Sequence, residues 1–207
     1  MIDKFCTFLV NKMRNEIPDI DDERAEVIMY GLQLIIGEIP KFFITLLIAY
    51  LLGVFKLTLL TVMILMPYRV SSGGFHLKTH IGCIVSTTLY YCGIAVLAKQ
   101  ISIAQNIEYI LAFGIWIFGM IMIKLYAPAD TENVPILRKS ERKQKQILSY
   151  ITFILGLIIA IIIKNPIISN ILLFGNLIQS MMITRLAYRL TGSKYGYEVY
   201  QDASQIS

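Results

Sequence analysis

The sequence predicts an all-α fold: one integral membrane domain over residues 1–207, a bundle of about six transmembrane helices with an N-terminal amphipathic helix. Two observations support this prediction. Hydrophobic residues make up 56% of the chain and charged residues only 16%, which is too apolar a composition for an ordinary soluble domain. Several apolar runs also approach the roughly 20 residues that a helix needs to cross a bilayer.

Residues 1–17 are predicted to form the amphipathic helix, and Pro18 is predicted to end it. Apolar residues recur along this stretch at helical spacing, whereas Lys4, Lys12 and Arg14 lie on the other side. The pattern is typical of a helix on the inner membrane surface, with its cations near anionic headgroups. A solvated helix that packs on the protein's own cytoplasmic loops has the same pattern, and both interpretations stay open.

The bundle is predicted over residues 25–185, after a helix start that Asp21 or Asp22 caps. Its first membrane segment covers about residues 25–55 and contains Pro40, which is expected to kink it. The second apolar run, residues 57–66, is short for a span. We expect it either to continue through residues 67–69 or to end in an unwound piece over residues 71–74.

Polar side chains inside the first segment are candidate functional groups. Glu38 and Lys41 are three residues apart, so they can face each other on one side of a helix. Ionisable groups at membrane depth usually point into the bundle and often serve function. An internal ion pair with a purely structural role explains the same residues.

Further spans are predicted over residues 81–98, 107–125 and 147–163, and a last apolar helix is predicted from after Pro166 to about residue 183. Residues 126–146 are predicted to form a basic loop, and residues 186–207 a tail. Placing this basic loop in the cytoplasm puts both termini of the chain inside the cell as well. Only Lys56, Lys99 and Lys164 then lie outside and Lys41 in the membrane, so 15 of the 19 Lys and Arg residues are cytoplasmic. This bias predicts the orientation of the protein in the cell membrane.

The chemistry is predicted in residues 67–86, which contain both histidines of the chain, His76 and His80, and also Cys83. Histidine titrates near neutrality, and a neighbouring imidazolium can hold a cysteine as the reactive thiolate. On an unbroken helix His80 neighbours Cys83, whereas His76 is two turns, about 10 Å, away. A break at Gly73–Gly74 with an N-cap at Thr79 would instead bring His76 to the sulfur. Spacing alone leaves both histidines as candidate bases.

Two other interpretations of the same residues are a zinc site and a polar helix end without catalytic function. A zinc site lacks an evident fourth ligand, so no metal or other cofactor is expected. A membrane transporter that uses Glu38, Lys41 and His76 as a polar path, and a metal-dependent membrane protease, are the alternative functions. The basic loop is interpreted as a topology signal, and no nucleic-acid partner is expected.

At these residues the sequence resembles the AgrB family of accessory gene regulator proteins. The matching pieces are Arg69, Gly74-Phe75-His76 and Cys83, together with Gly31-Leu32-Gln33, Lys41, Ile48-Ala49-Tyr50-Leu51, and a loop with Tyr126-Ala127-Pro128-Ala129 and Pro135-Ile136. The resemblance covers roughly residues 20 to 185. It implies a membrane cysteine endopeptidase that processes the AgrD propeptide into a cyclic autoinducing peptide for quorum sensing.

The resemblance also implies a site. It makes Cys83 and His76 the catalytic pair and so favours His76 over His80 as the base. The distribution of cations predicts that this pair lies near the cytoplasmic face. Candidate supporting residues are Arg69, Gly74, Ser72 and His80, and candidate substrate-binding residues are Gln33, Glu38, Lys41, Pro128 and Pro135. The expected partners are an AgrD-like propeptide and membrane lipids, and a homodimer is left open.

Overall fold

The computed structural model describes residues 2–17, 20–77, 79–132 and 134–200, and in this part of the chain it is a bundle of helices without a β-strand. The all-α prediction is therefore confirmed. Pro18 and the side chains of Gln33 and Glu38 lie outside the described residues, so their predicted roles stay predictions. The helices are α1 (Ile2–Glu16), α2 (Asp22–Leu51), α3 (Phe55–Ser72), α4 (His80–Gln100), α5 (Gln105–Tyr126), α6 (Lys139–Ile162), α7 (Pro166–Met182) and α8 (Arg185–Thr191).

Helix α1 packs against α2, and its two faces have different surroundings. Cys6 and Val10 are buried, whereas Phe5 and Phe8 are 52% and 61% exposed. Because only part of its apolar surface is covered by the protein, α1 combines a contact with the bundle and an apolar face that remains available to lipid.

Helix α2 is about as long as predicted but begins and ends a few residues earlier, whereas α3 runs further than the sequence predicts. Asp21 caps α2 by accepting a hydrogen bond from the backbone N–H of Arg24 at 2.8 Å, and the helix then continues through Pro40 to Leu51. Helix α3 continues through Pro67 to Ser72. The unwound piece expected over residues 71–74 therefore begins only after Ser72. Within the helix, the Ser71 and Ser72 hydroxyls both donate to the Tyr68 carbonyl.

Helix α7 lies at the centre of the bundle and packs against α3, α4, α5 and α6. Glycines permit this close packing: a Cβ on Gly175 of α7 would collide with the Leu65 side chain of α3, and one on Gly119 of α5 with the Phe153 ring of α6. Small residues at helix contacts are the usual means of close packing in membranes, where lipid tails are as apolar as leucine.

Several of the described helices have the length and apolarity of membrane spans. Of the described helices, α4, α5 and α6 qualify individually, and α7 with α8, bent by 71°, forms a possible fourth span. Large apolar side chains point outward along them, with Leu89, Ile110 and Ile162 at least 68% exposed, as expected where lipid is the solvent. The protein is thus a helical membrane protein, and the total of six spans stays a prediction.

The predicted loop and tail are more structured than expected. Helix α6 begins at Lys139, so the cations of residues 139–145 lie in its first two turns rather than in a loop over residues 126–146. The tail folds back instead of extending, because Tyr188 of α8 is buried and its hydroxyl donates to the carbonyls of Ala129 and Asp130 at 3.0 Å.

The segment between α5 and α6 is organised around the buried carboxylate of Asp130. Its Oδ2 accepts from the backbone N–H groups of Ile136 and Tyr197, each at 2.9 Å, and lies 3.2 Å from a guanidinium nitrogen of Arg142. The Arg142 guanidinium also stacks over the Tyr197 ring. The Arg142 side chain therefore has a structural role, whereas the side chain of the neighbouring Lys143 is exposed.

We expect Arg142→Ala to lower the free energy of unfolding by on the order of 3 kcal/mol, because it leaves the buried Asp130 carboxylate without its cation. The control is Lys143→Ala, which removes an equal charge from the surface. Thermal unfolding in detergent, followed by circular dichroism, measures both. Equal midpoints for the two variants would contradict the structural role of the pair.

Candidate active site

The chain breaks between α3 and α4 at two glycines whose backbone other residues rarely adopt. Gly73 and Gly74 have φ angles of 74° and 136°. A Cβ on Gly73 would collide with the Ala129 carbonyl, and one on Gly74 with the Arg69 guanidinium. The Gly74 N–H donates to the Ala129 carbonyl, and the Ala129 N–H to that of Ser72, both at 2.8 Å. Glycine is needed at both positions, because the Ala129 backbone occupies the space of a side chain at Gly73 and the Arg69 guanidinium occupies that space at Gly74.

Helix α4 then starts at the N-cap that the sequence predicts. The Thr79 hydroxyl accepts from the Gly82 N–H at 3.1 Å, and the Cys83 N–H donates to the Thr79 carbonyl at 2.9 Å. Cys83 is thus the fourth residue of α4 and lies in its opening turn, where the positive end of the helix dipole favours a thiolate. His76 precedes the helix, and His80 is its first residue.

The structure brings His76, rather than His80, to the sulfur. Cys83 Sγ lies 3.7 Å from His76 Nδ1, and Cys83 is 9% exposed. His80 is exposed at the start of α4. A second basic group reaches the sulfur from another helix: Lys41 Nζ of α2 donates to Cys83 Sγ at 3.6 Å. The sequence prediction had placed Lys41 among substrate-binding residues and had no reason to join it to Cys83.

The supporting residues hold the backbone around the site. Arg69 donates to the Phe75 carbonyl at 3.2 Å and to Gln179 Oε1 at 3.3 Å. The Ser72 hydroxyl donates to the Tyr68 carbonyl and accepts from Gln179, so this residue contacts the framework of the site rather than the imidazole.

Two residues that the sequence analysis missed complete this framework. Gln179 of α7 is fully buried, and its Nε2 donates at 2.8 Å to both Ser72 Oγ and the Gly73 carbonyl. Ser193, in the segment after α8, donates at 2.8 Å to the carbonyl of His76. A glutamine inside an apolar helix was the available signal for Gln179, since buried amides need partners. No pattern in the sequence pointed to Ser193.

A cavity of about 600 Å³ opens beside the sulfur. Apolar and aromatic side chains form most of its wall, and Lys41 and His76, the two basic groups that contact Cys83, also line it. Neither Pro128 nor Pro135 is among the described lining residues, although both were predicted to bind substrate. The lining consists of Ile39, Lys41, Phe42, Phe43, Thr45, Val62, Met66, Arg69, Val70, Gly73, Phe75, His76, Cys83, Ser86, Thr87, Tyr90, Tyr91 and Met182.

The donor set does not resemble a metal site. Among the described residues no group of three or more His, Cys, Asp or Glu side chains lies close enough to hold a metal ion. The Lys41 ammonium, 3.6 Å from Cys83 Sγ, would also repel a cation there. The arrangement instead suits nucleophilic chemistry at sulfur, with an imidazole beside the thiol.

Comparison with known proteins shows the family of the chain. The family model described as accessory gene regulator B matches residues 6–183. Accessory gene regulator protein B of Staphylococcus aureus strain JH9 is 34% identical over 182 residues, which cover 88% of this chain and 91% of the relative. A protein of Listeria innocua named as AgrB-like is 30% identical over 186 residues, which cover 87% of this chain and 88% of the relative. No solved structure matches significantly. The chain belongs to the AgrB family of accessory gene regulator proteins.

Proposed function

We propose that this protein is a membrane cysteine endopeptidase that cleaves an AgrD-like propeptide through a thioester and supports its cyclisation to a thiolactone or lactone. The observation that carries the proposal is the contact of Cys83 Sγ with His76 Nδ1, 3.7 Å apart at the wall of a cavity. A nucleophile within reach of a base is the minimal arrangement for covalent acyl transfer.

The reaction begins when His76 takes the thiol proton and Cys83 attacks a peptide carbonyl of the propeptide. The peptide bond breaks, the leaving amine takes the proton from His76, and the N-terminal fragment stays on Cys83 as a thioester. A Cys or Ser side chain within that fragment then attacks the thioester carbonyl. Its proton passes to His76 and on to the departing Cys83 thiolate, and the ring closes.

The surroundings of the sulfur favour ring closure over hydrolysis. Cys83 is 9% exposed, and aromatic and aliphatic side chains form most of the cavity wall. A thioester has about the same energy as a thiolactone, so water has to be excluded if the intermediate is to cyclise. The apolar wall also suits apolar side chains of a peptide that approaches from the membrane.

The propeptide docks, in this proposal, along the inner membrane face through apolar and electrostatic contacts. The exposed Phe5 and Phe8 of α1 offer the apolar contact, and the exposed Lys139 and Lys143 at the start of α6 offer the cations. Arg142 is not included, because its guanidinium is engaged with Asp130.

The direct test is to mix purified protein in nanodiscs with an AgrD-like propeptide and search by mass spectrometry for an acyl adduct. We expect an adduct on Cys83 whose mass equals the N-terminal fragment, and none with Cys83→Ala. Prior alkylation should block it, and a chelator should not. Cleavage that survives Cys83→Ala, or that a chelator abolishes, would refute the thiol mechanism.

The proposed orientation has both termini and the start of α6 in the cytoplasm, as the distribution of cations suggests. Single cysteines at the exposed positions Lys143 and Lys99 test it. In intact cells a membrane-impermeant maleimide should label Lys99→Cys, and it should label Lys143→Cys only after permeabilisation. The parental protein supplies the background from Cys6, Cys83 and Cys92. The reverse labelling pattern would overturn the orientation.

A further inference from the structure

We infer that Lys41 is a third catalytic residue, whose ammonium stabilises the negative charge that forms on the sulfur of Cys83. The inference rests on the proposed function, because it assigns a role in forming the nucleophile of that reaction. It concerns a residue 42 positions before Cys83 in the chain, which the sequence predicts to bind substrate and not to take part in the chemistry.

The geometry places a cation directly on the reacting atom. Lys41 Nζ lies 3.6 Å from Cys83 Sγ, on a side chain that is only 6% exposed, and His76 Nδ1 lies 3.7 Å from the same sulfur. The sulfur is thus contacted by one group that can accept its proton and one that can balance the remaining charge.

The position of Lys41 is set by the packing of α2 on α4. One turn further along α2, the hydroxyls of Thr45 and Thr88 form a hydrogen bond of 3.0 Å, and both residues are buried. Cys92 Sγ also donates to the Thr45 carbonyl at 3.6 Å. These contacts hold the two helices in register, so that the ammonium does not depend on a flexible loop to reach the sulfur.

The charge of the ammonium matters because the sulfur lies in apolar surroundings. Burial in apolar surroundings disfavours the charged form of an acidic group, whereas an opposite charge within about 4–6 Å favours it. Transfer of the thiol proton to His76 produces an imidazolium and a thiolate, and Lys41 stabilises this state relative to the neutral pair. The other charged or titratable side chains that the structure describes along the cavity are Arg69, Tyr90 and Tyr91.

The test measures the reactivity of Cys83 without any propeptide. In a Cys6→Ala, Cys92→Ala background, the rate of alkylation by iodoacetamide is followed by mass spectrometry between pH 6 and pH 10. Lys41→Met keeps a long unbranched side chain and removes the charge. We expect it to slow alkylation at pH 7 by about tenfold or more. The rate should approach that of the parent at high pH, where the thiolate forms without help.

Two further variants separate charge from structure. Lys41→Arg keeps the charge and should retain most of the reactivity. Lys99→Met removes an exposed cation from the far end of α4 and should leave the profile unchanged. An unaltered profile in Lys41→Met overturns the inference, and so does equal slowing at every pH, because that result indicates altered access to the sulfur rather than altered charge.

Failure of the inference and failure of the proposed function give different results. If the parent forms the propeptide adduct but Lys41→Met has the parental alkylation profile, the endopeptidase stands and Lys41 has no catalytic role. If Lys41→Met shifts the profile but no adduct forms in the parent, Lys41 activates Cys83 and the substrate proposal fails.

Discussion

Replacing Cys83 with Ala is expected to abolish propeptide cleavage, and replacing His76 with Ala to slow it by about 10²- to 10⁴-fold, the usual contribution of a general base. The physical reason is the 3.7 Å contact between the sulfur and His76 Nδ1. Cleavage of a labelled propeptide by purified protein in nanodiscs measures both effects.

His80→Ala is the matched control for the base, because it removes the other imidazole of the chain from the exposed first position of α4. It should retain most of the activity, and so should Cys6→Ala and Cys92→Ala. An inactive His80→Ala variant together with an active His76→Ala variant would mean that the wrong histidine has been assigned as the base.

The second large effect is expected from Gly73→Ala. This variant should not cleave the propeptide, and its Cys83 should no longer be alkylated at the parental rate. A side chain at a φ of 74° costs about 1–3 kcal/mol of backbone strain. The added Cβ also collides with the Ala129 carbonyl, which is backbone and has no flexible end to move aside. The strand-like contact between residues 73 and 129 then has to open, and His76 moves with it.

Gly93→Ala provides the control, since this glycine of α4 has no neighbouring atom within 4 Å of an added Cβ. Alanine in a helix is intrinsically favoured over glycine by about 1 kcal/mol, so this variant should be as stable as the parent or more so. Normal cleavage by Gly73→Ala would show that the described contact with Ala129 does not hold the site.

Local patterns in the sequence predicted most of the helices, and they gave the break that carries His76 as one of two alternatives. Apolar runs predicted α4 and α5 to within a few residues, because the length and composition of a span are local properties. The Thr79 cap and the glycine pair before it were also predictable, since an N-cap and a positive φ each depend on one residue and its neighbours. The start of α6 was missed, because a highly charged helical turn outside the membrane has the same composition as a basic loop.

Only the tertiary structure decided which remote groups surround the sulfur. Lys41 reaches Cys83 from α2, and Gln179 of α7 holds Ser72 and Gly73 across more than 100 residues of chain. Sequence spacing identifies only the neighbours three and four residues apart on one helix. It therefore paired Lys41 with Glu38 and left both histidines as candidate bases. The choice between the histidines and the contact with Lys41 follow from how α2, α4 and α7 pack, because a hydrogen bond between distant residues leaves no periodic trace in the sequence.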